Sequence, residues 1–296
     1  MAIMPQVPMR RTMKIEPMTT NPKTVLVTGA FGGIGKAVCR ELSLKGHTVL
    51  RVARQLPAGD PEPLPGPGAA FNIEADLART GSAKRMLESA VSAAGKVDVL
   101  IHCAGTLIPG DVTSMGGDDL RKMIDDNLFS VMLACGAVLP AMTAARDGQI
   151  IILGSLGGII PMPHGAVYCA AKFAVRGYTL SLAEELRESG VTVSLISCGP
   201  VHTRMLSTES RLSGSIAFVN RPLPAGKVAK IVLGVMDHPR RETVVPRFAG
   251  LLSPIVGAFS WAFEYLYPLV SAIGQARKMR YRTGASACPD IPGRQR

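Results

Sequence analysis

Three side chains near the middle of the chain have the types and spacing for acid–base chemistry on an oxygen atom. Tyr168 and Lys172 are four residues apart, so a helix would place the phenol and the ammonium on one face. A free tyrosine titrates at roughly pH 10, and a neighbouring cation lowers that pKa toward a value suited to general acid–base catalysis. Ser155 follows the apolar run 150–153 and offers a second hydroxyl at a strand end. Two hydroxyls aimed at one oxygen suit reduction of a carbonyl or oxidation of an alcohol.

A glycine-rich turn near the start of the chain predicts a phosphate-binding site. Residues 23–27 form a short apolar run typical of a buried strand, and residues 28–35 read Thr-Gly-Ala-Phe-Gly-Gly-Ile-Gly. A helical pattern follows as far as Leu44. In a strand–turn–helix of this kind, glycines let the backbone approach a pyrophosphate and the helix dipole favours its negative charge. The alternative is a tight connection without a ligand, and the strand and helix around the turn argue against it.

These motifs, in this order, resemble the short-chain dehydrogenase/reductase family over about residues 23–248. The asparagines of the family's Asn-Asn-Ala-Gly motif are both replaced in His102-Cys103-Ala104-Gly105, and Cys198 stands where the family has a proline that stiffens a turn. The resemblance implies cofactor contacts from the glycine-rich turn, from the acidic position after the third strand, from the Ala-Gly pair and from the segment that closes over the nicotinamide. The residues concerned are Gly29, Gly33, Ile34, Gly35, Asp76, Ala104, Gly105, Gly199, Val201 and Thr203.

The same resemblance implies a catalytic set of Ser155, Tyr168, Lys172 and Asn127. Tyr168 would donate the proton to the substrate oxygen in reduction and remove it in oxidation. Lys172 would lower the tyrosine pKa and hold the nicotinamide ribose, while Ser155 would stabilise charge on the substrate oxygen. Asn127 would hold a water that links Lys172 to solvent. Since no replaced residue transfers protons or hydride, we expect an active enzyme.

The end of the second predicted strand favours NADP(H) over NAD(H). An NAD site places an acidic residue there to bind the ribose 2′-hydroxyl, whereas this chain has Ala53 and then Arg54. A guanidinium suits a 2′-phosphate. The alternative is that Arg54 is only a solvated loop charge.

Alternating strand and helix patterns predict an α/β fold with a doubly wound parallel sheet, a Rossmann-like three-layer sandwich. The chain would form a single domain, 23–248, with a C-terminal extension, 249–296, and a flexible N-terminal tail, 1–22. The proline-rich segment 57–68 cannot form a helix, so it predicts an extended surface loop near the adenine end or a shortened connection. Strand-like runs occur at 97–101, 150–153 and 191–196, and helical patterns at 82–94, 118–145 and 166–188.

Cysteine usage and charge limit the classes of function. The 6 cysteines show neither metal-ligand spacing nor a disulfide framework, which indicates reduced thiols, no bound metal and a cytoplasmic location. The net charge of +11 is concentrated at the two ends of the chain, without a basic helix for nucleic acid. We interpret it as surface charge, with attraction to anionic lipid as the alternative.

The C-terminal extension is apolar over 249–275 and then basic, and it contains the single tryptophan, Trp261. Glu264 and two prolines argue against a membrane-spanning helix. A lid over the substrate, a dimer contact and an interfacial anchor remain open, the last giving peripheral membrane association through 249–282. Together with the apolar segment 204–226, the extension favours a lipophilic carbonyl or alcohol substrate of steroid, retinoid or 3-oxoacyl type.

Two other classes of function stay open beside a homo-dimeric or tetrameric reductase. One is a non-catalytic scaffold or regulatory protein that binds the cofactor without turnover. The other is a membrane-surface protein that works through its C-terminal segment. The full set of four catalytic side chains favours the enzyme, because a binding module has no need of all of them.

Overall fold

The computed structural model describes residues 21–59, 62–108, 110, 112–206, 221–246, 268 and 271–279. Three predictions fall wholly or mainly outside these residues: the N-terminal tail, most of the apolar segment 204–226, and the aromatic part of the C-terminal extension around Trp261. Within the extension, residues 271–279 are helical. The sheet and all the residues of the predicted site lie inside the described ranges.

A seven-stranded sheet forms the centre of the fold, and every pair of neighbouring strands is parallel. The strand order is β3-β2-β1-β4-β5-β6-β7, so the direction of winding reverses between β1 and β4. A crevice opens at such a reversal, outside the carboxyl ends of the strands. The strands are β1 Thr24–Thr28, β2 Thr48–Ala53, β3 Ala70–Glu74, β4 Val99–His102, β5 Gly148–Ser155, β6 Val191–Cys198 and β7 Glu242–Val245.

Helices cover both faces of the sheet, which confirms the predicted doubly wound α/β architecture. Strands buried on two sides are largely apolar, as in β1 and β4, where every residue is buried and polar side chains occur only at the strand ends. One hydrophobic cluster lies between the sheet and α2, α4 and α5, and the other lies between the sheet and α1 and α6. The helices are α1 Gly33–Leu44, α2 Ser82–Ala94, α3 Gly117–Ile124, α4 Ser130–Ala145, α5 Ala166–Glu185 and α6 Ala225–Asp237.

The helix predicted over 118–145 is present but interrupted. A π-helical turn, Asp125–Phe129, separates α3 from α4. The whole stretch Gly117–Ala145 is long and apolar enough to cross a membrane by length and composition. Its buried residues, such as Ala134 and Val138, pack in the core beside β4 and β5.

The proline-rich segment connects β2 to β3 without a helix in its described part, as predicted. It packs against the end of α1, where the Gly66 amide donates a hydrogen bond to Ser43 Oγ at 3.1 Å. A Cβ atom at Gly66 would lie 1.8 Å from the Ser43 carbonyl oxygen, so only glycine fits this close approach. The described residues of the segment line a cavity beside α1 and do not line the groove at the β1–β4 reversal.

Candidate active site

A groove of about 380 Å³ lies at the reversal of the sheet, between the ends of β1, β2 and β4. The predicted cofactor residues from four separate segments meet in its wall. Those that line it are Gly29, Gly33, Ile34, Gly35, Arg54, Ala104, Gly105 and Thr203. Four other predicted contacts do not line it: Asp76, Lys172, Gly199 and Val201. The sheet topology therefore gathers most of the predicted cofactor site in one place.

The glycine-rich turn is closely packed against the end of β4. Gly29 has φ +64, a left-handed conformation that glycine adopts without steric cost. A Cβ atom there would lie 2.8 Å from the Ala104 backbone, so a larger residue would push the β1 and β4 ends apart. The Ala104 amide donates to Thr28 Oγ1 at 3.3 Å across the same junction. This packing leaves the N-terminus of α1 facing the groove.

Lys172 and Tyr168 lie on one face of α5, as their spacing predicted. The Lys172 Nζ atom lies 5.7 Å from the centre of the Tyr168 ring. A Cβ atom at Gly105 would lie 3.5 Å from Lys172 Nζ and 2.9 Å from Asn127 Oδ1. The ammonium is therefore close to the tyrosine, the groove wall and the asparagine together.

Ser155 approaches the same tyrosine from the end of β5. A Cβ atom at Gly157 would lie 3.3 Å from Tyr168 Cε1 and 3.4 Å from Ser155 Oγ, so both side chains border one small space. The Gly157 amide donates to Ser155 Oγ at 3.0 Å and fixes the orientation of the hydroxyl. The structure thus brings Ser155, Tyr168, Lys172 and Asn127 into one cluster.

Burial sets the electrostatics of this cluster. Lys172 is only 6% exposed, and desolvation lowers its pKa to about 8. His102, fully buried at the end of β4, has its pKa lowered to about 3 by burial and then by the Lys172 charge. The histidine is therefore neutral near pH 7, and its Nε2 atom lies 3.4 Å from Ser130 Oγ. A neutral ring in place of the family's asparagine leaves Lys172 as the cation of the cluster.

Asn127 lies in the π-helical turn, and its side chain is held by three hydrogen bonds. Its amide nitrogen donates to the carbonyl oxygens of Met123 at 2.9 Å and Thr106 at 2.8 Å. Its Oδ1 atom accepts from the Thr106 amide at 3.3 Å. Single π turns inside α-helices are frequent at functional sites because they change the local backbone bonding. Through these bonds, the π turn links Thr106, in the groove wall, to the interrupted helix Gly117–Ala145.

Arg54 lies at the predicted end of the groove, but its guanidinium is paired with carboxylates. It forms ion pairs with the buried Asp126 and, at 3.3 Å, with Asp76 Oδ1. Lys122 Nζ binds the other oxygen of Asp126 at 2.8 Å. Burial raises the pKa of Asp126, but the hydrogen bonds from Arg54 and Lys122 outweigh it, and the pKa is lowered overall. The acid is thus ionised within the lining of the groove.

Sequence reasoning missed Asp126 and Phe31, which both line the groove. Asp126 immediately precedes Asn127, but its partner Arg54 is 72 residues away, so no local pattern signalled the pair. Phe31 could have been found from the sequence, because it is the one large aromatic residue in the glycine-rich turn 28–35. Among the described residues, no group of three or more His, Cys, Asp or Glu side chains is placed to hold a metal ion.

Comparison with known proteins identifies the family. The model of the short chain dehydrogenase family matches residues 23–212, more than half of the chain. The chain belongs to the short-chain dehydrogenase/reductase family. Members of this family are oxidoreductases that use a nicotinamide cofactor, and the position of the groove agrees with that use.

Curated relatives of this chain include enzymes with named substrates. The 3-ketodihydrosphingosine reductase of Bacteroides thetaiotaomicron is 34% identical over 182 residues, which cover 62% of this chain and 65% of the reductase. Human 17-beta-hydroxysteroid dehydrogenase type 1 is 34% identical over 192 residues, 62% of this chain and 58% of that enzyme. The 3-oxoacyl-[acyl-carrier-protein] reductase of Synechocystis is 33% identical, with 62% and 76% covered. The chain spans less than two thirds of the length of the first two.

Solved structures of low sequence identity share the dehydrogenase fold. A short-chain dehydrogenase from Streptomyces avermitilis matches 84% of this chain with a TM-score of 0.68 and 20% identity. The structure of ElxO with NADP bound matches 76% of this chain with a TM-score of 0.67 and 22% identity. Both are matched over almost their whole length, 98% and 97% respectively.

The residues around the groove fit the nicotinamide dinucleotide that the family uses. A Cβ atom at Gly33 would overlap Thr203, because it would lie 2.5 Å from the Thr203 Cγ2 atom. The glycine-rich turn can therefore pass beside Thr203 only because Gly33 has no side chain. The N-terminus of α1 faces this space and favours a pyrophosphate. At the other end, the buried Lys172 ammonium adjoins the wall at Gly105, where a ribose hydroxyl can accept a hydrogen bond.

Proposed function

We propose that the protein interconverts a carbonyl and a secondary alcohol by hydride transfer, with Ser155, Tyr168, Lys172 and Asn127 as the working side chains. The observation that carries this proposal is the buried Lys172 ammonium, 5.7 Å from the centre of the Tyr168 ring and beside the groove wall. A buried charge is costly unless it is paired, so a buried ammonium that is kept despite this cost indicates a function that needs it. Lowering the pKa of a neighbouring phenol is such a function.

Each side chain has one task in the proposed mechanism. When bound, the nicotinamide supplies or accepts the hydride. Tyr168 Oη transfers the proton to or from the substrate oxygen, and Ser155 Oγ donates a hydrogen bond to that oxygen as charge develops. With its pKa of about 8, Lys172 is mainly protonated at pH 7 and stabilises the phenolate. The Asn127 side chain donates hydrogen bonds to the Thr106 and Met123 carbonyl oxygens, and these bonds hold the groove wall at Thr106 in position beside Lys172.

Replacement of the tyrosine hydroxyl tests the assignment. Tyr168→Phe should lower kcat at least ~10³-fold, because the proton donor is lost, while the Kd for NADPH stays within about two-fold. Turnover is measured on a panel of ketones, and cofactor affinity by nucleotide fluorescence. Tyr178→Phe, which removes a hydroxyl from the same helix outside the cluster, is the matched control and should retain activity. A Tyr168→Phe enzyme that keeps most of its turnover would support the non-catalytic scaffold instead.

We propose NADP(H) as the preferred cofactor, with Arg54 as the contact for the 2′-phosphate. The guanidinium belongs to the groove lining beside Ala53, where an NAD site would need an acid. Its ion pairs with Asp76 and Asp126 hold it at the groove in the absence of a phosphate. When the 2′-phosphate binds, the Arg54 guanidinium exchanges one of these carboxylates for the phosphate as its partner.

Two substitutions test this exchange through affinity alone. Arg54→Ala should weaken NADPH roughly 10-fold or more and NADH little, because a charge-assisted hydrogen bond is worth about 1.5–3 kcal/mol. Asp126→Asn should strengthen NADPH several-fold, because it removes both a competing partner and a nearby negative charge. Arg79→Ala, which removes another cation paired with Asp76, is the control. Equal loss of NADPH and NADH affinity in Arg54→Ala would contradict the assignment.

A lipophilic substrate is the final part of the proposal. The names of three relatives specify 3-ketodihydrosphingosine, a hydroxysteroid and a 3-oxoacyl group, all of them carbonyl or alcohol compounds of largely apolar structure. The apolar residues of the segment 204–226 agree with this class. A ketone panel that contrasts acyl and steroid ketones with sugars tests it. Preference for a sugar would contradict the proposed class.

A further inference from the structure

A second cavity, of about 510 Å³, lies on the α1 side of the sheet, and Pro57 and residues 62–65 of the proline-rich segment line it. Its volume is in the range of small-molecule binding sites. Basic side chains come from two elements, Lys36 and Arg40 from α1 and Arg51 from β2, and the described lining has a single acid, Glu62. The cavity therefore has an excess of positive charge that the cofactor groove does not use.

Arg51 is the unusual member of this lining. It is only 7% exposed, and its Nε atom has no hydrogen-bond partner among the described residues. Its one hydrogen bond within the described part of the chain runs from NH1 to the carbonyl oxygen of Glu62, at 2.9 Å. The guanidinium also lies over the Phe31 ring, 5.3 Å from its centre. An arginine buried to this degree is normally paired with an acid, because an unpaired buried charge is costly.

None of the three cations forms an ion pair with a described carboxylate, and Glu62 binds Arg51 through its backbone. Lys36 and Arg40 are one turn apart on α1 and both exposed, so they repel each other slightly. A carbonyl contact and an aromatic face satisfy a guanidinium only in part, since neither carries a full negative charge. An anion in the cavity would supply the missing charge to all three.

We propose that this cavity is a binding site for a phosphate-class anion, contacted by Arg51 within it and by Lys36 and Arg40 at its surface. The site is distinct from the cofactor groove, because the two linings share only Phe31 among the described residues, and it does not depend on the proposed reaction. The fork of the buried guanidinium suits the bidentate geometry of a phosphate or sulfate group. The remaining volume would hold the rest of a phosphorylated small molecule.

The test is titration of the full chain with inorganic phosphate, by calorimetry at constant ionic strength in chloride buffer. We expect saturable binding that weakens roughly ten-fold or more in the double variant K36Q/R40Q, which loses two surface charges from the cavity. The double variant K84Q/R85Q removes two exposed charges from α2 and should bind as the wild type does. Arg51→Met should abolish binding. If that variant folds poorly, the comparison of K36Q/R40Q with K84Q/R85Q provides the test.

Saturation with NADH or NADPH locates the bound anion. Phosphate binding that persists with either nucleotide supports a separate site. Loss of binding with NADPH but not with NADH would overturn the proposal, because the anion position would then be that of the cofactor 2′-phosphate. No saturable binding, or equal weakening in K84Q/R85Q, would overturn it as well, by showing an adventitious ion only. These outcomes are independent of Tyr168→Phe, so the two proposals can fail separately.

Discussion

Lys172 is the residue on which the proposed chemistry and the stability of the protein oppose each other. Its ammonium is almost fully buried, and desolvation lowers its pKa from 10.5 to about 8. At about 1.36 kcal/mol per unit, a shift of that size destabilises the folded protein by ~3 kcal/mol below pH 8. The cost is confined to one side chain that the fold itself does not require.

We expect Lys172→Met to raise the free energy of unfolding by ~3 kcal/mol at pH 7 while abolishing turnover, because methionine fills similar space without a charge. Between about pH 8 and pH 10.5 the unfolded wild type binds more protons than the folded form does, so its stability rises with pH. The advantage of the variant should therefore shrink over that window. Urea unfolding of both proteins from pH 6 to pH 10 measures it.

The difference between the two proteins isolates this effect from other buried groups. Burial raises the pKa of the Cys39 thiol from 9.0 to about 12, which makes stability fall with pH in both proteins equally. Lys84→Met, at an exposed position of α2, is the control and should leave the pH profile unchanged. Parallel profiles of the wild type and Lys172→Met would show that Lys172 is not desolvated.

At this scale, some residues were predictable and others were not. The i,i+4 spacing of Tyr168 and Lys172 follows from helix geometry, so the sequence alone placed the two side chains on one face. Asp126 was not predictable, because its role depends on Arg54 and therefore on how β2 and the long helix meet. Arg51 was missed for a related reason, since its burial depends on the path of a segment without periodic structure.

At the scale of elements, the short 3₁₀ turn Leu156–Gly158 determines how β5 meets α5. A Cβ atom at Gly158 would lie 2.6 Å from the Lys172 carbonyl oxygen, in the backbone of α5. A Cβ atom at Gly157 would instead meet the end of the Met162 side chain at 2.8 Å, besides Tyr168 and Ser155. The two adjacent glycines thus have different neighbours, one a rigid backbone and the other the proposed catalytic residues Ser155 and Tyr168.

This difference predicts two separable effects of alanine. Gly158→Ala should lower the free energy of unfolding by about 1–3 kcal/mol, because the backbone of α5 must move away. Gly157→Ala should change stability little, since the Met162 side chain can move, but should lower kcat by separating Ser155 from Tyr168. Thermal unfolding and ketone reduction are measured for both. Equal loss of stability in the two variants would contradict this account.

The elements also show where sequence patterns stop being sufficient. Helix 82–94 was predicted at its observed bounds, because its periodicity and its flanking glycines agree. The helix 118–145 was predicted as continuous, and its π turn was not foreseen. Apolar periodicity reports which face is buried, whereas a π turn depends on local hydrogen bonds, such as the one that the Asn127 side-chain amide donates to the Met123 carbonyl oxygen.

At the scale of the whole molecule, two large aromatic side chains remain exposed on adjoining elements. Phe129 ends the π turn with 45% exposure, and Phe173 lies on α5 with 44% exposure. These elements contact each other and carry Asn127 and the Tyr168–Lys172 pair. Exposed apolar side chains on the elements that carry the proposed catalytic residues favour the proposed homo-oligomer, in which a second copy covers them.

We expect the wild type to be a dimer or tetramer at micromolar concentration, and Phe173→Glu to shift it toward the monomer, because a charge at an apolar interface is costly. Light scattering coupled to gel filtration measures the mass. Leu44→Glu, a change of a similarly exposed residue (42%) on the opposite face of the sheet, is the control and should keep the wild-type mass. If both variants remain oligomeric, the interface lies elsewhere, and the C-terminal extension becomes the next surface to delete. If the wild type is itself a monomer, the exposed phenylalanines need another partner, and the oligomer is excluded.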